Sequence, residues 1–201
     1  MHTIDLLSSH AVAVRATVPV VARVLPSDLS LPTPCAEWDL GQLLAHMTVQ
    51  HRGFAAAAAG HGGDLDLWRP RALGDNPVQE YAWAAESVIA AFAEPGVLDR
   101  TLLLPEITAR PVPGRLAIGF HLVDYVVHGW DVARTLGLPY DLPPEVVAAA
   151  LPIAEAVPAG EARLAPGSAF APPVPEAGDD PLNRILALLG RDPGKNVVPP
   201  R

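Results

Sequence analysis

The segment HLVDYVVHGWD, residues 121–131, concentrates side chains able to hold a metal ion or move a proton. At about 100° per residue, His121, Asp124 and His128 fall within roughly 60° of one another on one helix face. Asp124 and His128 are four positions apart, about 6 Å along a helix axis, a spacing that lets two side chains grip one ion. His121 and His128 are about 10.5 Å apart along the axis, too far to share an ion directly. Either Asp124 with His128 or His121 with Asp124 can therefore form a pair, but not all three together. Two ligands leave a transition ion underfilled, so a third must come from elsewhere. His46, within LLAHM, sits in an apolar run where an unpaired imidazole is costly to bury. His51 is rotated about 140° from His46 around the same helix and is predicted to point elsewhere.

Each of these residues also has a plainer reading. His46 can be a hydrogen-bonded core histidine, and Asp124 with His128 a structural ion pair at i,i+4 spacing. Asp131 can orient a ligand histidine from behind, or be a solvated charge near a helix end. His2, His10 and His61 read as surface or loop residues. Trp130, about 200° around the helix from His128, is expected in the core. Cys35 has no base beside it in the sequence and reads as a small buried or connector residue.

The elements that must position these groups are helical. Residues 5–25 read as a first helix, with Val14, Val18, Val21 and Leu25 at helical spacing and Pro19 set to kink it near Arg15–Val18 or split it. LPTPC is a rigid connector. Asp39 is an N-cap with Gln42 three residues on, a capping box, and Trp38 and Leu43 are placed as a hydrophobic staple. The second helix is expected from Leu40 to about Ala58, stopping at Gly60. Residues 61–75 are a loop. Asn76, Pro77 and Gln79 start a third helix with a second capping box and an apolar stripe of Tyr81, Ala85, Val88 and Phe92, ended by Pro95-Gly96. Leu102–Leu104 reads as a short strand or extended linker, and Pro111–Gly114 as a turn. The fourth helix runs from about Arg115 to Leu136 and closes at Gly137. Pro143–Ala156 is another helix, residues 157–179 wrap the surface without regular structure, and Asp180–Gly190 is a compact terminal helix. Residues 191–201 are expected to be loose.

Composition supports this. The chain of 201 residues is 50% hydrophobic and 18% charged, enough for a sizeable core in one domain. Aromatics are 5%, and alanine-rich stretches such as 54–59 suit close helix–helix contact. We read 1–201 as a single domain: a helical bundle over 1–157 carrying the metal site, then a Pro-rich wrap and terminal helix over 158–201. The net charge of −8 and the lack of a basic run, with Lys195 in the tail, disfavour nucleic acid. No stretch approaches the roughly 20 apolar residues that span a bilayer. The N-terminus lacks the positive region of a signal peptide, which predicts a cytoplasmic protein. One cysteine excludes an internal disulfide.

TPCAEWDLGQLLAHM, followed some way on by DYVVHGWDVARTLG, resembles the DinB/YfiT-like superfamily. It is closest to the actinobacterial branch related to mycothiol-dependent maleylpyruvate isomerase, and FAPPVPEAGDDPLNRILALLGRDP resembles the same branch, so the likeness covers nearly the whole chain. The resemblance implies an all-α fold, a four-helix bundle with additional short C-terminal helices, holding a divalent metal, zinc or nickel, at one end of its core. It implies His46, Asp124 and His128 as the ligands. His121 falls outside that pattern and is a candidate pocket residue or general base.

Three ligands leave an open position, as catalytic sites do. The implied chemistry is thiolate addition to an activated electrophile, with mycothiol as cosubstrate, giving transfer or isomerisation. Arg52 and Arg115 are the cations nearest the site in sequence for a carboxylate substrate. One rival is a thiol-independent lyase, cyclase or hydrolase in which the metal activates water or substrate and His121 is the base. A second is a non-catalytic metal-binding module. A small molecule is the expected partner, and the chain a monomer or homodimer.

Overall fold

A computed structural model describes residues 5–35, 38–164, 168–175 and 178–194. Its helices are α1 (Leu6–Val21), α2 (Leu40–Ala58), α3 (Pro77–Phe92), α4 (Gly114–Leu136), α5 (Pro144–Ala156) and α6 (Pro181–Leu188). A two-stranded antiparallel ribbon, β1 (Thr101–Leu102) with β2 (Val112–Pro113), lies between α3 and α4, Leu102 opposite Val112. The fold is all-α. Helices α1 to α4 form the bundle: α2 packs on α3, α1 on both α3 and α4, and α2 on α4. Then α5 covers α4 and α1, and α6 lies on α5.

Local chemistry explains where the helices start and stop. The Asp39 carboxylate accepts the Gln42 N–H at 2.8 Å, while the Gln42 side chain accepts the Asp39 N–H at 3.0 Å, the reciprocal capping box expected of α2. At α3 only half of the expected box is formed, with Asn76 Oδ1 accepting from Gln79 N at 3.3 Å. Asp180 caps α6, and Gly137 (φ 67°) takes the left-handed conformation that ends α4.

Four expectations change. Helix α1 runs through Pro19 and ends at Val21, leaving Leu25 53% exposed. Pro19 removes one hydrogen bond but sits in the last turn, where little helix remains to be lost. Within the 111–114 stretch, Val112–Pro113 is a strand leading into α4 at Gly114, with Val112 drawn into the core beside Leu102. Within the expected irregular wrap, Glu161–Leu164 forms a 3-10 turn. Arg191, the first residue of the stretch expected to be loose, is instead 3% exposed, and 195–201 lie outside the described residues. His2 and Lys195 lie outside the described residues.

Two apolar clusters hold the assembly. One fills the bundle with Leu40, Leu44, Met47, Tyr81, Phe92 and Tyr125. The other lies between α4 and the added helices, with Leu122, Val126, Trp130, Val146, Ile185 and Leu186. α4 contributes to both and is buried nearly all round, as a central helix must be. Gly129 permits the close contact of α4 with α1: a Cβ there would fall 2.8 Å from Thr17 Cγ2 and 2.6 Å from Tyr140 Cζ.

Candidate metal centre

The capping box sets the register of α2 and places His46 two turns in. α4 supplies Asp124 and His128 from the facing surface. The His46 Nε2 atom is 4.0 Å from Asp124 Oδ2, and His128 Nε2 is 3.3 Å from Asp124 Oδ1. Donor atoms of the three residues all lie within 4.8 Å of one another. A tetrahedral ion with ligand bonds near 2.1 Å needs donors separated by roughly 3.4 Å, so this set closes on one ion with small rotamer shifts.

The protonation states also suit an ion. Behind the site, His128 Nδ1 donates to Asp131 Oδ2 at 3.0 Å, which leaves Nε2 turned toward Asp124. Asp131 is fully buried and is gripped in turn by Arg191, whose Nη2 donates to Oδ2 at 2.9 Å and Nε to Oδ1 at 3.2 Å. Burial holds the His46 imidazole down at about 4, against a smaller opposing pull from Asp124, so its lone pair is available at neutral pH. Burial would also lower His128, but the neighbouring carboxylates of Asp124 and Asp131 outweigh it and push the group up to about 9. Burial would raise Asp124, yet the His128 beside it brings the carboxyl below its usual range. An arriving cation would replace the His128 proton.

Side-chain exposure falls from 23% at Asp124 and 19% at His46 to 2% at His128, so the site opens from one side. A cleft of about 570 Å³ adjoins it through His46, lined also by Leu29, Trp38, Ala45, Arg71 and Leu73. The Trp38 ring lies over His46 with centroids 4.4 Å apart, so the staple residue also walls the site. Residues 70–73, from the loop before α3, line this cleft, and none of 102–114 does. Arg52 is engaged by Glu80 at 3.2 Å, and Arg115 lies exposed at the start of α4. Arg71 is the cation lining the cleft.

A second group, Cys35 with His128 and Asp131, also meets within 4.8 Å. Cys35 thus has a histidine beside it in space, although none was visible in sequence. That set is the poorer cation site. Both Asp131 oxygens already accept from Arg191, and the guanidinium adds a positive charge beside any ion placed there.

His121 is fully buried, and both its ring nitrogens are taken. His10 Nε2 lies 2.9 Å from Nδ1, and His51 Nδ1 lies 3.3 Å from Nε2. Any proton it handles must pass through those rings. His10 is therefore no surface residue: it lies in α1, 1% exposed, on the buried stripe with Val14, Thr17 and Val21. The spacing of His10 to Val14 and Val21 was the available signal. His51 does point away from His46, as its rotation requires, and His61 is exposed. Arg191 had no local signal, because its partner is 60 residues away. No helix among the described residues is long and apolar enough to cross a membrane.

Residues 10–133 match the family described as Mycothiol maleylpyruvate isomerase N-terminal domain. Two uncharacterized proteins of Mycobacterium tuberculosis, from strains CDC 1551 / Oshkosh and ATCC 25618 / H37Rv, are each 32% identical over 188 residues, covering 93% of this chain and 98% of their own length. No solved structure matches the chain.

Proposed function

Because the chain belongs to the mycothiol maleylpyruvate isomerase N-terminal domain family, we propose that it is a metal-dependent enzyme that adds or transfers a low-molecular-weight thiol, mycothiol-like, to an activated electrophile, or isomerises that electrophile. The observation that carries this reading is the convergence of His46, Asp124 and His128 beside a cleft large enough for a small molecule. A divalent ion held there, zinc by this donor set and nickel as the other candidate, would keep a thiol of unperturbed pKa near 8.5 as thiolate at neutral pH.

The chain's own residues do the rest. Asp131 fixes the orientation of His128, and Arg191 fixes Asp131. Trp38 packs its ring against His46 and holds that imidazole at the mouth of the cleft. Apolar Leu29, Ala45 and Leu73 receive the body of the electrophile, and Arg71 is placed to meet an acidic group on it.

The test is turnover of a panel of unsaturated acids and electrophiles by zinc-loaded protein, with and without thiol. Turnover that requires both zinc and thiol, and is lost in His46→Ala with the helices retained, supports the proposal. Equal rates in both arms replace it with a thiol-independent lyase, cyclase or hydrolase.

A further inference from the structure

The cleft beside His46 does not end at residues 70–73. A second cavity of about 160 Å³ lies beyond them, and Ala45, Arg71, Ala72 and Leu73 line both. The segment 70–73 is thus a strap across the outer face of α2, with one chamber on either side. Arg71 and Ala72 are exposed on it, while Leu73 is half-buried and packs on the bundle core. Of the α2 residues, Ala45 lines both chambers, so the helix presents only a methyl group where the strap crosses. Ala45 is next in the chain to His46.

The second chamber is walled chiefly by apolar groups, among them Val49 from α2, Leu67 from the turn before the strap and Pro77 at the start of α3. A cavity of roughly 150 Å³ with aliphatic walls is large enough to take up benzene. The charges leave room for one anion. Arg52 in the second chamber is answered by Glu80, Nη2 to Oε2 at 3.2 Å. Arg71 makes no hydrogen bond or ion pair among the described residues. Each chamber also carries a carboxylate, Asp39 in the first and Glu80 in the second. A second negative group on a ligand would meet one of them, and like charges brought together oppose binding.

We propose that the two chambers form one substrate trough, and that its ligand is an unsaturated monocarboxylic acid bearing a ring or a short branched alkyl group. The carboxylate meets Arg71, the apolar group fills the second chamber, and the double bond between them lies over Ala45. Val49 follows His46 by three positions, about 4.5 Å along α2, so a group attached directly to the double bond reaches the chamber.

The choice of an unsaturated acid rests on the thiol reading above. A carboxylate conjugated to the double bond draws electrons from it and opens the far carbon to a thiolate. The sulfur–carbon bond forms there, the π pair moves to the carbon beside the carboxylate, and the proton that the thiol lost returns to that carbon. The second chamber adds selectivity, because it rewards an apolar substituent on the far carbon and Glu80 rejects an acidic one.

The experiment measures dissociation constants by NMR titration of the metal-free, thiol-free full chain. The probes are cinnamate, crotonate with a methyl in place of the phenyl, and trans,trans-muconate with a second carboxylate. Cinnamate should bind at least ~tenfold tighter than crotonate, and muconate no tighter than crotonate. Val49→Phe and Leu67→Phe fill the second chamber from α2 and from the loop. Each should bring the cinnamate-to-crotonate ratio to about one, with helical circular dichroism unchanged. Arg71→Gln should weaken both monoacids alike, by ~tenfold or more. A ratio near one in the unsubstituted protein would overturn the trough, as would muconate binding tighter than cinnamate. So would a ratio unmoved in a filling variant that folds, or no binding of any probe at ~10 mM. None of these readings involves thiol or zinc. Selective binding without thiol-dependent turnover keeps the trough and discards the thiol chemistry, whereas thiol-dependent turnover with no preference for cinnamate does the reverse.

Discussion

Two groups of histidines share this bundle, about 10 Å apart along α4 as spaced by His121 and His128, and they differ in their neighbours. At the metal end, His128 sits between the carboxylates of Asp124 and Asp131, and His46 reaches a cleft. In the middle, the side-chain hydrogen bonds and ring contacts of His10, His51 and His121 among the described residues run to one another and to aromatic rings. The same residue type is consequently driven in opposite directions: His128 up to about 9, and His10 down to about 3. Burial is common to both; at His128 the two carboxylates in hydrogen-bonding contact outweigh it, whereas at His46, with Asp124 alone 4.0 Å away, burial still wins. A charged partner turns a histidine into a place where a proton and a metal ion compete, and the absence of one makes it a neutral hydrogen-bonding element.

The largest expected effect tests the middle group. The folded pKa values of His10, His51 and His121 are depressed from 6.5, so the stability they contribute is present above pH 6.5 and lost as pH falls. The slope reaches at most ~1.4 kcal/mol per pH unit for each ring, or ~4 kcal/mol for the three together. Urea melts of metal-free protein at pH 7, 6 and 5 measure this. His128 runs the other way: its contribution is complete below 6.5 and disappears as pH rises through about 9. Stability that is unchanged between pH 7 and 5 would break the contrast.

Next in size is removal of a ligand. His128→Ala should weaken zinc binding by more than the ~100-fold that loss of an outer partner costs, with His46→Ala similar. His121→Ala should leave zinc binding unchanged. Competition with a chelator of known affinity measures each. A site emptied by His121→Ala but not by Asp124→Ala would exchange the roles of the two groups.

A smaller loss is expected from Asp131→Asn, ~10–100-fold in zinc affinity, because the amide still meets His128 but no longer fixes its tautomer. The same competition assay applies, with circular dichroism to confirm that the Arg191 anchor still folds. The smallest effect is the pH dependence of loading. With His128 protonated up to about 9, each ion bound near pH 7 should release about one proton. Zinc affinity should therefore rise ~tenfold per pH unit below that value. Calorimetry in buffers of different ionisation heat counts the protons, and a count near zero would mean that His128 is already neutral.

Much of this could be read from the chain alone. The start of α2 was legible in Asp39 and Gln42, the end of α4 in Gly137, and the shared face of Asp124 and His128 in their spacing. These depend on contacts within about one helical turn, which is the range over which backbone capping and the 3.6-residue period act. Of the two outcomes expected at Pro19, the split did not occur: α1 continues through it, packed against α3 and α4. Only the tertiary structure decided which groups stand beside those faces. His10 meets His121 across 111 positions, and Arg191 meets Asp131 across 60. Cys35, without a base in sequence, has a histidine and an aspartate near it once α2 has folded back on α4. A histidine's periodicity says that it faces inward. Whether it finds a carboxylate, a second histidine or an open cleft depends on how the helices are arranged, and that arrangement sets its charge.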